Sequence, residues 1–523
     1  MRHEDDHLLA VSKPAGVTTH RADAFAQDGM YDWVQRQRPG VSLSILHRLD
    51  KATSGVLLFG KTPQANRSLA AQFERRTVSK HYELLVERDP QREPRLHCDL
   101  PVGRQRDGRR VELAASTDFA LAQSGETLQR YDARPHSGRT HQVRVHAAAL
   151  GMPIVGDAEH GGLQASRLFL HAARLGVDHP VDGRLEVVAG RPPSFDRVLD
   201  AGQRAEGSAT VSALAALESR TALFDASDTD AYLWIDRHHD GFDGVRVERL
   251  GDVVLAVSYD GSTEAVPDGW LDAWLEVAGP SSVYVQRRPR GGGGGLPELR
   301  RGAAQSAFEV LELGVRYLVD LEASATSTGL FLDQRETRRE LRGSDLSGHT
   351  VLNAFAHTGS LSVAAALAGA ETLSLDLSKR YLAWAADNLR RNGLDPLEHD
   401  FIYGDAMEWM GRLAKKGRRF DVVLVDPPSS STTRGGRHGR WSVGRDLDEL
   451  VARAARLCAP GGRVYVSTNL RQMTWPAFAD HVARGLATAG RAADISHRTL
   501  PLDHRSGPGD PPYLKAAWIQ MSG

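Results

Sequence analysis

The chain has 523 residues, 41% of them hydrophobic and 25% charged, and its 65 Lys+Arg against 66 Asp+Glu leave a formal net charge of -1. That length exceeds what one hydrophobic core organises, so two or three domains are expected. The charge balance excludes a chain coated with cations, and any nucleic acid must be met by local basic grooves.

No uninterrupted apolar run reaches the ~18 residues of a membrane span. The opening MRHEDDHLLAVSKP has acids where a signal peptide carries cations, so a cytoplasmic location without a membrane partner is expected. The cysteines, Cys98 and Cys458, lie far apart with no CxxC or zinc spacing, which predicts no disulfide framework and no metal.

In chain order, residues to about 200 mix short β-rich runs, SGVLLFG and HYELLVE, with turn-rich stretches, and AGRPPSFDRV closes them with a double proline. The small, polar DAGQRAEGSATVS predicts a boundary near 205. Residues 206–300 hold a helical VSALAALESR and two strands, VRVERL and VVLAVSY. They end in RRPRGGGGG, where Gly291 to Gly295 read as a flexible loop or linker because glycine loses the most backbone freedom on folding. From 301 to 523 strands alternate with helices, the pattern of a doubly wound parallel sheet. HTVLNAFA, TLSLDLS, FDVVLVDPP and RVYVSTN read as strands; GSLSVAAALAG, RYLAWAADNLRRNGL and LDELVARAARLCAPGG read as helices, the second stopped at Asn392-Gly393. The expected fold class is therefore a multidomain chain of α+β and α/β parts, divided as 1–205, 206–300 and 301–523.

Taken alone, Asp50 between Arg48 and Lys51 in HRLDKATSG is an exposed ion pair worth little, and Tyr82 a strand core residue. The stretch has company, however. KPAGVTTH (13–20) precedes it, and FERRTVSKHYELLV (73–86) and SGRTHQVRVHAAALGMPIVGD (137–157) follow. Together and in this order the motifs closely resemble the RluA-type family of pseudouridine synthases over about residues 7–200. The resemblance implies a mixed, mainly antiparallel sheet split by a cleft, and isomerisation of uridine to pseudouridine in structured RNA. By position, it makes Asp50 the catalytic aspartate that attacks or deprotonates the nucleoside and Arg144 the cation paired with it. Arg48 would help flip the target nucleotide, and Tyr82 would stack on the base and take the proton from carbon 5. Desolvation alone would raise the pKa of such a carboxylate, which a buried cation opposes. A stacked uracil must be flipped out, at about a few kcal/mol. Isomerisation involves no net redox or group transfer, so no cofactor is expected for this half.

In VLNAFAHTGSLSVAAALAGA a glycine turn joins a buried strand to a helix, a place where backbone approaches a ligand closely. Asp376, ending the next strand, suits the ribose hydroxyls of a nucleoside cofactor, and Asp405 in YGDAMEW suits an adenine amino group. Asp426-Pro427-Pro428 ends a further strand, although a plain strand-ending turn would also read DPP. This order resembles class I S-adenosylmethionine-dependent methyltransferases, with Phe355, Thr358, Gly359, Asp376, Asp405 and Asp426 as the implied S-adenosyl-L-methionine contacts. More narrowly, TGLFLDQRETRREL, DLSKRYLAWAADNLRRNGL, FDVVLVDPPS, VGRD and VSTNLR are similar to the RlmK/RlmL branch of ribosomal RNA guanine methyltransferases, over about 305–523. In GLFLDQR, Asp333 and Arg335 would border the cofactor pocket, though helix-start packing explains that segment as well.

Carbon-5 methylation of cytosine, the chemistry of the related RlmI branch, needs a thiolate. The matching strand end carries Thr468-Asn469, and Cys458 reads as part of the preceding helix. Ring nitrogen 7 of guanine already has a lone pair and needs only positioning, here by Asp426, the Pro427 and Pro428 backbone, and Asn469; the exocyclic amine stays open as target. Residues 225–290 resemble a PUA-like module. The expectation is a bifunctional RNA-modifying enzyme acting on 23S rRNA, with no DNA partner. Two alternatives stand beside it: a methyltransferase whose front half only holds RNA, and a ribosome assembly factor that keeps both folds without catalysis.

Overall fold

SGVLLFG is buried along its whole length as the strand Ser54–Gly60, because it runs inside a ten-stranded sheet covered on both faces. The computed structural model describes residues 1–23, 25–106, 109–201, 208–259, 266–289, 294–325, 327–431, 441–506 and 512–523. Across this first sheet the main path runs His3–Glu4, Leu8–Lys13, Ser54–Gly60, Leu170–Asp178, Ser79–Glu87, Leu128–Pro135, Thr117–Ser124, Arg95–Cys98. Leu170–Asp178 and Ser54–Gly60 pair in parallel, and their neighbours are antiparallel. The sheet is mixed and mainly antiparallel, as the resemblance implies. The helix Pro63–Arg75, started by Thr62 accepting from the Ala65 N–H with proline at its first position, packs on it through Ala65 and Leu69. The short helix Gln142–Ala149 closes the other side with Val143 and Ala147 in the core.

A second sheet, of five strands, runs Ala231–Asp236, Val245–Leu250, Val253–Ser258, Ser282–Arg287, Glu298–Gly302. The helix Asp268–Ala278 supplies the crossover between its parallel pair. Trp234 and Trp274 fill the space under the helix Ala209–Thr221. The predicted boundary near 205 falls on 202–207, and Gly291 to Gly293 of the glycine run fall on 290–293; both lie outside the described residues.

The third sheet has seven strands in the order Asp400–Tyr403, Glu371–Asp376, Thr350–Ala354, Phe420–Val425, Cys458–Thr468, Lys515–Met521, Ala493–Arg498. Its first five run parallel, but the last two are antiparallel to their neighbours, which corrects the all-parallel expectation. The cause is topological. Lys515–Met521 inserts between two strands already placed, and it pairs antiparallel with both. A second correction concerns Cys458, which is the first residue of the strand Cys458–Thr468 and not part of the helix Val443–Leu457. Strand order reverses at Thr350–Ala354, with Glu371–Asp376 on one side and Phe420–Val425 on the other, and a switch point of this kind opens a crevice at the carboxyl ends of the strands.

The halves touch through specific contacts. Phe25 stacks on Trp475 at 5.4 Å, and the Gln27 amide donates to the carbonyls of Pro501 (2.9 Å) and His504 (2.6 Å). No helix is long and apolar enough to cross a membrane among the described residues.

Candidate active sites in the two halves

Asp50 sits in the turn before Ser54–Gly60, half-buried, and its backbone carbonyl accepts from the Thr53 N–H at 3.1 Å. Below that turn lies Lys13, with no exposed surface, its ammonium donating to the carbonyls of Val17 (2.7 Å), Pro14 (3.0 Å) and Lys51 (3.2 Å). Burial pushes the Lys13 ammonium well down, and the negative charge of Asp50 acts against that shift. Sequence reading assigned Lys13 no role, although KPAGVTTH contains it; only the fold shows that the lysine passes under the Asp50 turn. Tyr82 reaches the site from Ser79–Glu87, half-buried between Ala133 and Ala172 on the flanking strands. Burial and the nearby Asp50 charge push its phenol far up, so it is protonated in the resting protein and suits stacking better than proton acceptance.

Arg144 corrects an expectation. Its guanidinium grips Asp157 through two bonds of 2.7 and 2.6 Å and Glu159 through one of 2.8 Å, rather than pairing directly with Asp50. Asp157 is shut off from solvent, and the Arg144 and His160 hydrogen bonds outweigh the burial that would raise it, leaving its carboxyl below the usual range. The Asp50 charge still reaches Arg144. A relay joins them: His141 lies 3.9 Å from Asp50 and 3.4 Å from Glu159, which holds Arg144. His141, Glu159 and His160 bring possible ligand atoms within 4.8 Å of one another, a grouping the sequence did not suggest because Glu159 and His160 follow the last motif. Arg48 is exposed at the rim. Asp50, Tyr82 and Arg144 thus arrive from separate motifs at one place, with Arg48 beside them.

In the third sheet Phe355, Asp376 and Asp426 end or follow neighbouring parallel strands. The loop after Thr350–Ala354 holds Phe355 (φ 63°), His357 (φ 50°) and Gly359 (φ 73°) in the left-handed region, strained for the first two. A Cβ at Gly359 would meet that of Ala385 at 2.5 Å, so the loop lies flat on the helix Lys379–Arg391. Asp376 accepts from the His357 N–H (2.9 Å) and the Ser378 N–H (2.8 Å), and burial raises its carboxyl. Thr358 is buried and its hydroxyl donates to the Gly329 carbonyl at 2.5 Å, so its side chain braces the loop. Asp405 caps the helix Ala406–Lys415, one oxygen accepting from the Glu408 N–H at 3.0 Å. Asp426 accepts from the Ser467 hydroxyl at 2.6 Å, and burial pushes its carboxyl up to about 6. Next to it Pro427 is buried and Pro428 exposed, while Asn469 accepts from the Ser429 hydroxyl at 2.7 Å.

Arg335 is a further correction: its buried guanidinium faces inward to Glu312 (3.1 Å) and Asp503 (2.8 Å), away from a cofactor. Asp333 accepts from the Tyr513 hydroxyl at 3.1 Å. Cys458 is buried, and burial pushes its thiol up to about 11, so it is no nucleophile. The crevice fits an adenosyl cofactor on its own features. Asp376 retains acceptor capacity, and His357 Nε2 and Trp441 Nε1 are buried polar atoms with no hydrogen-bond partner at this end.

Two family models match the chain: RNA pseudouridylate synthase over residues 7–149, and S-adenosylmethionine-dependent methyltransferase over residues 272–490. Ribosomal RNA large subunit methyltransferase K/L of Allochromatium vinosum is 39% identical over 242 residues, covering 46% of this chain and 31% of that protein. The chain thus spans about a third of that relative's length. Ribosomal RNA large subunit methyltransferase K of Neisseria meningitidis is 33% identical over 267 residues, 49% of this chain and 72% of that protein. YwbD of Bacillus subtilis, provisionally named a ribosomal RNA large subunit methyltransferase, is 31% identical over 313 residues, 58% of this chain and 78% of that protein. A solved S-adenosylmethionine-dependent methyltransferase-type protein of Streptococcus mutans covers 66% of this chain and 87% of its own at 25% identity and TM-score 0.53. A similar structure carries SAH, at TM-score 0.54 and 25% identity. The chain belongs to the S-adenosylmethionine-dependent methyltransferase family that includes these large-subunit ribosomal RNA methyltransferases, and it carries an RNA pseudouridylate synthase domain ahead of that region.

Proposed function

We propose that the chain is a bifunctional RNA-modifying enzyme that isomerises a uridine to pseudouridine and methylates ring nitrogen 7 of a guanine, both in 23S rRNA. The arrival of Asp50, Tyr82 and Arg144 at one cleft from separate motifs carries the first activity. Asp50 attacks or deprotonates the flipped nucleoside while the bond from nitrogen 1 to the sugar breaks. The bond from carbon 5 to the same sugar carbon forms, carbon 5 loses a proton and nitrogen 1 gains one, so the balance needs no cofactor. Lys13 lies under the Asp50 turn, the Arg144–Glu159–His141 chain stands behind Asp50, Tyr82 stacks on the uracil, and Arg48 holds the flipped backbone.

For the second activity, S-adenosylmethionine supplies an electrophilic methyl group when bound. Asp376 takes the ribose hydroxyls, the second oxygen of Asp405 takes the adenine amino group, and the Phe355–Gly359 backbone lies along the ligand with Thr358 bracing it. Asp426, the Pro427–Pro428 backbone and Asn469 orient a guanine whose nitrogen 7 needs no base. A raised thiol at Cys458, at the far end of the strand from Asn469, argues against cytosine. We assign residues 1–205 to the isomerase, 206–300 to a PUA-like RNA-holding module and 301–523 to the methyltransferase. Mass spectrometry of rRNA treated with purified Asp50→Asn and Asp376→Ala proteins tests this, each variant losing one modification and retaining the other. Loss of neither would overturn it.

A further inference from the structure

Beside the Asp50 turn lies a cavity of about 200 Å³ that belongs to neither active site. The Asp50 turn, the helix Ala209–Thr221 and the C-terminal segment around Arg505 all line it. Its polar lining includes Lys51, Arg167, Arg505, Ser166 and Ser219, together with His239 and the carboxylate of Asp240. Arg505 is 8% exposed, donates to the Ser219 hydroxyl at 2.7 Å through Nη2, and leaves Nη1 buried without a hydrogen-bond partner. Its guanidinium lies flat on Gly16, whose added Cβ would stand 3.2 Å from the guanidinium carbon. Lys51 donates to the Ser506 carbonyl at 2.8 Å, which clips the Asp50 turn to the methyltransferase segment. Arg167 is held by the Ser54 hydroxyl at 2.6 Å, with Glu218 farther away at 3.6 Å, and the Ser166 hydroxyl is another buried group without a partner.

The acids nearby are occupied. Both oxygens of Asp240 are taken by Arg220 at 2.7 and 2.6 Å, and Glu218 accepts from the Ser194 N–H and hydroxyl at 2.6 and 2.7 Å. Burial lowers the pKa of Lys51, Arg167 and Arg505; repulsion from Arg505 adds to it for Lys51 and repulsion from Arg220 for Arg505, while Asp240, Asp236 and Asp503 oppose it at Arg505 and Glu218 at Arg167. Buried positive charge such as that of Arg167 and Arg505 is costly unless an anion meets it. The space exceeds a phosphate group, and guanidinium forks match phosphate oxygens.

We propose that this cavity seats one backbone phosphate of the RNA substrate, through Arg505, Arg167 and Lys51. The proposal rests on the RNA-modifying function above and adds a docking point that both halves build together. An RNA gripped here is held next to the Asp50 cleft while its other contacts extend over the methyltransferase, so one phosphate fixes register for both.

The test is methylphosphonate interference with the full chain and a 23S rRNA fragment in which single linkages are made neutral in turn. At one linkage, neutralisation should weaken wild-type binding ~10-fold yet change Arg505→Gln and Lys51→Gln less than ~2-fold, while each variant binds the unmodified fragment ~10-fold less tightly with a log–log salt slope smaller by about 1. Arg505→Lys should recover part of the loss. Calorimetric binding of S-adenosylmethionine by each variant verifies that it is folded, and the exposed Lys51 gives a readout if the buried Arg505 change does not fold. Unchanged RNA affinity in folded variants overturns the proposal, as does saturation by inorganic phosphate with no linkage responding, which marks a free-ion site. A wild-type chain that leaves RNA unmodified instead overturns the functional reading on which the proposal rests.

Discussion

Arg144 shows how one side chain serves structure and chemistry together. It neutralises Asp157, which has no solvent to fall back on, and through Glu159 and His141 it stands behind Asp50. Arg144→Ala should therefore cost stability as well as activity, about 3–5 kcal/mol by denaturant unfolding at pH 7, because it strands a buried carboxylate. A loss of activity without any shift in the unfolding midpoint would mean that Asp157 finds another partner. Asp426 supplies a pH signature. Burial raises its carboxyl to about 6 in the folded chain, above the ordinary value of about 3.9, so the folded state binds the proton more tightly. Stability therefore falls as pH rises from about 4 to about 6 and is flat above. Methyl transfer, which in the proposed function uses the ionised carboxylate as an acceptor, should rise across pH 6. In single-turnover assays Asp426→Asn should remove that limb; a limb that persists would place the titrating group elsewhere. At this scale the motifs made Asp50, Tyr82 and Asp376 readable, since each lies inside a contiguous pattern. Lys13 and the His141–Glu159 link were not, because their meaning depends on which distant loops the fold brings together.

At the scale of elements, the turn between Thr350–Ala354 and the helix Ser360–Leu367 is the proposed methyl-donor site, and Phe355, His357 and Gly359 stand there at left-handed φ. Gly359→Ala places a Cβ against Ala385 at a left-handed φ. It should lower stability by about 1–3 kcal/mol and weaken S-adenosylmethionine binding ~10-fold or more, measured by unfolding and calorimetry. Wild-type affinity in that variant would show that the loop does not contact the cofactor. Alternation of strand and helix was plain from hydrophobic periodicity. Direction was not: a strand buried at all but one position, such as Lys515–Met521, reads the same whether its neighbours run with it or against it. Cys458 was misplaced for a related reason. Proline and paired glycines in CAPGG look like a break, yet the segment pairs with Phe420–Val425 across an irregular register.

Across the whole molecule, the contact between halves combines apolar packing with specific hydrogen bonds. Phe25 stacks on Trp475, Gln27 bridges to Pro501 and His504, and Lys51 reaches Ser506. Such an interface transmits position and suits two sites that share one substrate. A Phe25→Ala, Gln27→Ala double variant should raise amide hydrogen exchange around residues 25–33 and 497–506 while leaving the strand Phe420–Val425 protected. Uniform exchange across all three would show that the chain opens as one unit. Neither the linker composition nor the near-zero charge pointed to this contact, since the residues that make it are scattered over nearly the full length.

In the proposed function one chain performs two separable RNA modifications. Its most direct test is to map pseudouridine and 7-methylguanosine in 23S rRNA from cells carrying the wild-type, Asp50→Asn or Asp376→Ala protein. The account predicts that Asp50→Asn erases a pseudouridine and spares the methylguanosine, and that Asp376→Ala does the reverse. An Asp50→Asn strain with every pseudouridine in place would contradict it.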